Sequence, residues 1–237
     1  MLQRIDGHRS ATDDVLAAWL AMGVAPPREA RVLDLGCGHG TVTLLLSALL
    51  PEAEFTLIEA QAVSADLARR NLALNGLERR ARVIEGDLRE APTDLLPSAG
   101  FDLVTGTPPY MPEGSGRLPR DPQRAAARFE LRGGIEEYCR VAARCVAPDG
   151  AVSMLMDAAQ DGRCRLAFSA AGLPITGTLV VIPKAGLAPR FRGYVGRPAG
   201  GPLQARELVI RDPAGDLSEA MWAVRAAVGM AGPGEPR

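Results

Sequence analysis

Histidine is almost missing from this chain: only His8 and His39 occur in 237 residues. That scarcity argues against a Ser-His-Asp triad and against a histidine-rich zinc site. Cysteine is sparse as well, and Cys37, Cys139, Cys145 and Cys164 form no C-x-x-C pair. Reduced thiols are the reading this supports, and no bound metal is expected. No apolar run is long enough for a membrane span or fit for a signal peptide, so a cytoplasmic protein with no membrane partner is expected. Lysine is reduced to Lys184, so the basic charge is carried by arginine. The net charge of −1 argues against an obligate polyanion binder. The distribution is less even, because residues 117–211 carry 15 Lys+Arg against 8 Asp+Glu while residues 1–116 carry 10 against 16. The arginine-rich part reads either as a solvated surface or as an anion-binding face.

What the chain has in quantity is apolar residues, at 47%, and glycine, at 26 residues. The glycines matter most in Arg31-Val-Leu-Asp-Leu-Gly-Cys-Gly-His-Gly40, where a short apolar run breaks into Gly36, Gly38 and Gly40 before a second apolar run, Val42–Leu50. That order reads as strand, tight turn, helix, and a backbone that must take positive φ beside a bulky ligand favours glycine there. A dinucleotide-binding G-x-G-x-x-G would need glycine at 41 or 43, and both positions are threonine. Phe55–Glu59 is a second strand ending in an acid about twenty residues on, where a carboxylate can accept from both hydroxyls of a ribose. Arg82–Asp87 is a third strand with an acid at its end.

The spacing Asp34-x-Gly36-x-Gly38-x-Gly40 resembles the first motif of the class I S-adenosylmethionine-dependent methyltransferases. The resemblance implies a Rossmann-like α/β fold, a doubly wound, mostly parallel sheet of seven strands. It also implies S-adenosyl-L-methionine as cofactor, held by Asp34, Gly36, Cys37, Gly38 and Gly40, by Glu59 and Ala60 at the ribose, and by Asp87 and Leu88 at the adenine amine.

Along the chain, Ser10–Asp14 offers helix caps before the apolar face of Val15–Met22, and Gly23 with Pro26-Pro27 stops that helix. Thr12 and Asp13 read equally as caps and as cofactor contacts at the helix N-terminus. Helices over 40–50 and 62–74 alternate with strands over 54–59, 82–85 and 101–105, a rhythm that predicts a parallel sheet with ligand at the strand carboxyl ends. Residues 106–127 show no periodicity and read as a long substrate loop. A helix over 129–146, a strand over 151–156, a helix over 159–171, strands over 177–182 and 205–211 and a last helix over 217–228 complete the pattern. Between the last two strands, 183–202 is rich in Gly, Pro and Arg and reads as a hairpin, and the end after Gly229 reads as a frayed tail. One domain, 1–237, with an N-terminal helical extension over 1–28, is the expected organisation.

Thr107-Pro-Pro-Tyr110 follows the fourth strand and so falls at the same sheet edge as the glycine turn. Consecutive prolines stiffen the backbone and leave a carbonyl free to accept from a substrate N–H, while Tyr110 offers a face for a planar ring. This stretch resembles the Asn-Pro-Pro-Tyr motif of methyltransferases acting on adenine, cytosine or glutamine nitrogen, with Thr107 in place of Asn. Gly7–Leu16 and Pro183–Arg190 are similar to segments of the tRNA(Val) adenine N6-methyltransferases. The resemblance implies Thr107, Pro108 and Tyr110 as the catalytic positions, with Thr107 also touching cofactor. The acceptor it implies is RNA, a tRNA, met by arginines of 117–211 such as Arg117, Arg120, Arg124 and Arg190. A small metabolite, a protein glutamine, or a non-catalytic cofactor-binding role are the alternatives.

Overall fold

The computed structural model describes residues 1–91 and 94–230. Residues 231–237, most of the expected tail, lie outside that range. The chain runs α1 (Thr12–Met22), β1 (Arg31–Leu35), α2 (Thr41–Leu49), β2 (Glu54–Glu59), α3 (Ala62–Leu74), β3 (Ala81–Glu85), β4 (Phe101–Gly106), α4 (Pro122–Arg128), α5 (Ile135–Cys145), β5 (Val146–Asp157), α6 (Asp161–Ala170), β6 (Ile175–Lys184), β7 (Phe191–Gly196), β8 (Gln204–Arg211) and α7 (Glu219–Ala227).

The strands form one sheet in the order β3-β2-β1-β4-β5-β7-β6-β8. Strands β1 to β5 pair in parallel, and β7 is antiparallel to both its neighbours. The order reverses between β1 and β4, which is where an open α/β sheet leaves a crevice above its carboxyl ends. Leu35 lies level with Ile58 of β2 and Gly106 of β4, so three chain exits leave the sheet at one height.

Alternation along the strands divides the core between the two faces. Val32, Phe55, Leu57 and Leu155 pack with Leu16, Leu20 and Leu46 on one side. Leu33, Leu35, Ile58 and Met154 pack with Ile135, Cys139 and Phe168 on the other. Among the described residues no helix is long and apolar enough to cross a membrane.

Two expectations are corrected. The sheet has eight strands, not seven, because the stretch read as a hairpin contains β7. Its Gly and Arg content concealed a strand whose last four residues are buried and in which Tyr194, fully buried, donates to Asp161 at 2.7 Å. The loop expected over 106–127 ends inside a helix, α4, started by Pro122 in its first turn and by the Asp121 carboxylate accepting from the Arg124 amide at 2.9 Å.

Helix α1 lies close enough to β7 that a Cβ added at Gly193 would stand 2.6 Å from a Leu20 methyl and 3.2 Å from the Leu179 Cβ. Gly193→Ala is expected to lower stability by about 1–3 kcal/mol through overpacking. Urea denaturation should show a lower midpoint at unchanged slope.

Candidate active site

The turn after β1 is shaped by three glycines at φ +64° (Gly36), +58° (Gly38) and +88° (Gly40), a region that L side chains rarely adopt. Cys37 donates its amide to the Ile58 carbonyl at 3.1 Å, tying the turn to β2. The Glu59 carboxylate closes it: Oε2 accepts from the Gly38 amide at 2.9 Å and Oε1 from the Gln61 amide at 2.8 Å. Burial raises the Glu59 pKa, and those amide bonds pull it back. Below the turn, Asp34 is 3% exposed and accepts from the Thr43 hydroxyl at 2.7 Å. Burial pushes its carboxyl up to about 7 against that bond. Burial also raises the Cys37 thiol, which leaves it protonated and a poor nucleophile.

Gly36, Cys37, Gly38, Glu59, Ala60, Asp87, Leu88 and Thr107 line a single cleft over this turn. A Cβ at Gly38 would meet nothing within 4 Å, so the backbone there faces open space a ligand can approach. Each Glu59 oxygen keeps a lone pair beyond its amide bond, as a ribose diol requires. Asp87 is engaged by the Arg89 fork at 2.9 Å (Nε to Oδ1) and 2.6 Å (to Oδ2), with the Arg89 amide at 3.0 Å. That pairing is the main reason its pKa is lowered. An adenine amine at the expected position would have to share Asp87 with Arg89 or displace it. On this donor set the cleft suits an adenosine carrying positive charge.

The other expected contacts fall elsewhere. Asp34 and Gly40 support the turn without lining the cleft. Thr12 is exposed and lines neither cavity. Asp13 turns to the second cavity, where it accepts from the Tyr110 hydroxyl at 3.1 Å.

That second cavity, about 790 Å³, adjoins the first and is lined by Thr107, Pro108, Tyr110 and Phe191 with Arg9, Arg124, Arg128 and Arg190. Tyr110 is fixed on three sides: its hydroxyl by Asp13, its carbonyl by Gln160 at 3.3 Å, and its ring by Phe191 at 5.7 Å and 53°. Of the expected arginines, Arg124 and Arg190 are here, while Arg117 and Arg120 are not. Arg190 also reaches Asp157 at 3.3 Å.

Sequence reasoning missed Asp14, His8, Arg132 and Tyr138, all of which line the first cleft. Arg132 stands just before Gly133-Gly134, a break that could have drawn attention to it. Its charge lowers both Glu59 and Asp87. Tyr138 reads as ordinary helix core in sequence, yet a Cβ at Gly36 would lie 2.1 Å from its hydroxyl. The N-terminal residues, of which His8 lines the cleft, are tied in place through Gln123 of α4. Its Oε1 accepts from the His8 amide and from Arg4, both at 3.3 Å, while its amide donates to Ser64 at 2.9 Å. Burial lowers His8, and it lowers His39 to about 4. Among the described residues no cluster of three or more His, Cys, Asp or Glu side chains could hold a metal ion.

Residues 11–118 match the family model described as the methyltransferase small domain. The tRNA1(Val) (adenine(37)-N6)-methyltransferase of Shewanella amazonensis is 30% identical over 219 residues, 92% of this chain and 90% of that protein. The protein of the same name from Porphyromonas gingivalis is 30% identical over 149 residues, and the match spans 62% of this chain and 58% of that one. A release factor glutamine methyltransferase of Chlorobaculum tepidum is 32% identical over 52% of this chain and 42% of its own length. Among solved structures, a predicted O-methyltransferase from Agrobacterium tumefaciens has the same fold, with a TM-score of 0.72 at 20% identity over 94% of this chain and 99% of that one.

Because Asp34 holds its proton to about pH 7 when folded and releases it near the ordinary carboxylate value when unfolded, the folded state binds the extra proton between those values. Its contribution to stability therefore falls as pH rises across that window. Asp34→Asn is expected to lose less stability between pH 5 and pH 8 than the parent, a difference that urea titrations at the two pH values will register.

Proposed function

The chain belongs to the S-adenosylmethionine-dependent methyltransferase family that its tRNA1(Val) (adenine(37)-N6)-methyltransferase relatives represent, and on that premise we propose that it methylates an exocyclic amino group of a nucleobase in tRNA. The observation that carries this reading is the adjacency of the two cavities at Thr107, with the glycine turn on one side and the Pro108–Tyr110 corner on the other.

When bound, S-adenosylmethionine supplies a methyl group already activated on a sulfonium, so the protein's work is positioning. Gly36, Cys37 and Gly38 would bring backbone against it, Glu59 would take the ribose hydroxyls, and Asp87 with Leu88 the adenine. On the acceptor side, the Thr107 hydroxyl and the Pro108 carbonyl would take the two amino hydrogens and aim the nitrogen lone pair. Tyr110, held by Asp13 and Phe191, would stack on the base. Arg9, Arg124, Arg128 and Arg190 ring this cavity, where phosphates flanking an extruded base would lie. A wide, arginine-rimmed cavity with an aromatic platform favours a base on a polyanion over an isolated metabolite.

The test is transfer of labelled methyl to an unmodified tRNA1(Val) transcript, with nucleoside digestion to locate N6-methyladenosine. Labelling of a release factor or of small molecules instead would reassign the acceptor. Cofactor binding without any transfer would make the chain a non-catalytic partner. Tyr110→Ala is expected to lower kcat/KM about 10- to 100-fold, the equivalent of one stacking contact, with S-adenosylhomocysteine affinity nearly unchanged by calorimetry.

A further inference from the structure

Four residues line both cavities: His8, Asp14, Thr107 and Ala127. They mark the junction that a methyl group must cross. Only Asp14 brings an anionic oxygen there. Its Oδ2 accepts from the Ala11 amide at 3.0 Å, which caps α1 and fixes where the carboxylate stands. Its charge reaches both walls, raising Asp34 beneath the glycine turn and Tyr110 on the acceptor side. Thr107, also at the junction, supplies a hydroxyl with a shorter reach than an amide and no basicity at neutral pH.

We infer that Asp14 is a catalytic residue, the carboxylate that takes over the amino hydrogen first held by the Thr107 hydroxyl and removes that proton as the methyl is transferred. This rests on the proposed amine acceptor. The acceptor nitrogen forms the bond to the methyl carbon. The C–S bond breaks with its electron pair left on sulfur. The nitrogen then carries one proton too many, which passes to the Asp14 carboxylate and on to water through the open acceptor cavity. No further reactant is needed for the atoms and charges to balance.

The surroundings set a pH signature. Burial, and then the neighbouring Asp13, push Asp14 up to about 6. Its charge acts on Asp34 from β1 and on Tyr110 after β4, and it shares its two cavities with His8, Arg9 and Asp13 from the N-terminal part, Glu59, Asp87 and Arg132 on the donor side, and Arg124, Arg128, Asp157 and Arg190 on the acceptor side. A bound sulfonium, being cationic, draws the value down. The ionised form is the base, so turnover rises with pH through a value at or below about 6 and levels off above it.

Rates on the tRNA1(Val) transcript from pH 5 to 9, with S-adenosylhomocysteine affinity by calorimetry, test this in Asp14→Asn, Asp14→Glu and His8→Gln. Asn keeps an acceptor for the Ala11 amide, so the cap survives. Asp14→Asn is expected to lower kcat about 100-fold or more and to erase the rising limb, while product affinity holds. Asp14→Glu should keep the limb at reduced rate, and His8→Gln should keep it as well. A limb that persists in Asp14→Asn, a limb that vanishes in His8→Gln, or a loss of product affinity matching the loss of rate overturns the assignment. A parent enzyme that labels no RNA overturns the amine-acceptor reading and this inference together, whereas an active parent with an indifferent Asp14→Asn overturns this inference alone.

Discussion

No side chain fits at Gly36. Its φ is +64°, and a Cβ there would stand 2.1 Å from the Tyr138 hydroxyl, so the turn after β1 and the helix α5 are shaped to one another. Tyr138 is 6% exposed and packs with Leu33, Leu35 and Ile58, which makes it the floor under the turn. Parallel pairing then levels the exits of β1, β2 and β4. A slip of one residue in any of these strands would move its exit by about 3.3 Å and turn its side chains to the opposite face. The meeting of the glycine turn, Glu59 and Thr107 is thus a consequence of register, not of loop flexibility.

Charge is divided between the two cavities. Inside the first cleft, Asp14 and Glu59, with Asp34 beneath, all have raised pKa values with burial as the leading cause, and Arg132 is a cation whose charge reaches Glu59. Carboxylates in that condition gain from a cation that enters with its own desolvation already met by the pocket. The second cavity has four arginines among its lining residues. Asp13, Asp14 and Asp157 share that lining, so the second cavity is only narrowly basic, whereas Asp14, Glu59 and Asp87 outnumber Arg132 in the first. The net charge of −1 hides this arrangement, because it sums two opposite regions.

Much of this was legible in the sequence where a short stretch carries its own explanation. The glycine spacing excluded a dinucleotide turn, the acids ending β2 and following β3 fell beside it, and Thr107–Tyr110 fell on the same edge. What sequence could not supply were relations between distant residues. Arg89 folding back on Asp87, Tyr138 beneath Gly36 and the Gln123 tie between α4 and residues 4–8 depend on three-dimensional proximity that no local spacing encodes. Local composition also misled. Proline and arginine around 117–128 concealed α4, although Asp121-Pro122 is a sound helix start, and glycine at 193 and 196 concealed β7, where small residues let a helix and the Phe168 ring come close.

The tripeptide Thr12-Asp13-Asp14 shows why a motif on a helix cannot be assigned as a block. Successive residues on an α-helix project about 100° apart, so three neighbours face three directions. Thr12 faces solvent, Asp13 reaches the Tyr110 hydroxyl, and Asp14 reaches the junction of the two cavities. The exposed amides of the first turn favour negative charge at this end, which is why two adjacent acids are tolerated there. That help is incomplete, since burial still raises Asp14 and Asp13 adds to the rise. One acid braces the aromatic platform while its neighbour, its carboxyl raised to about 6, stands beside the junction. A single turn of α1 thereby gives consecutive carboxylates different surroundings and different partners, an outcome set by rotation about the helix axis and not by the residue types alone.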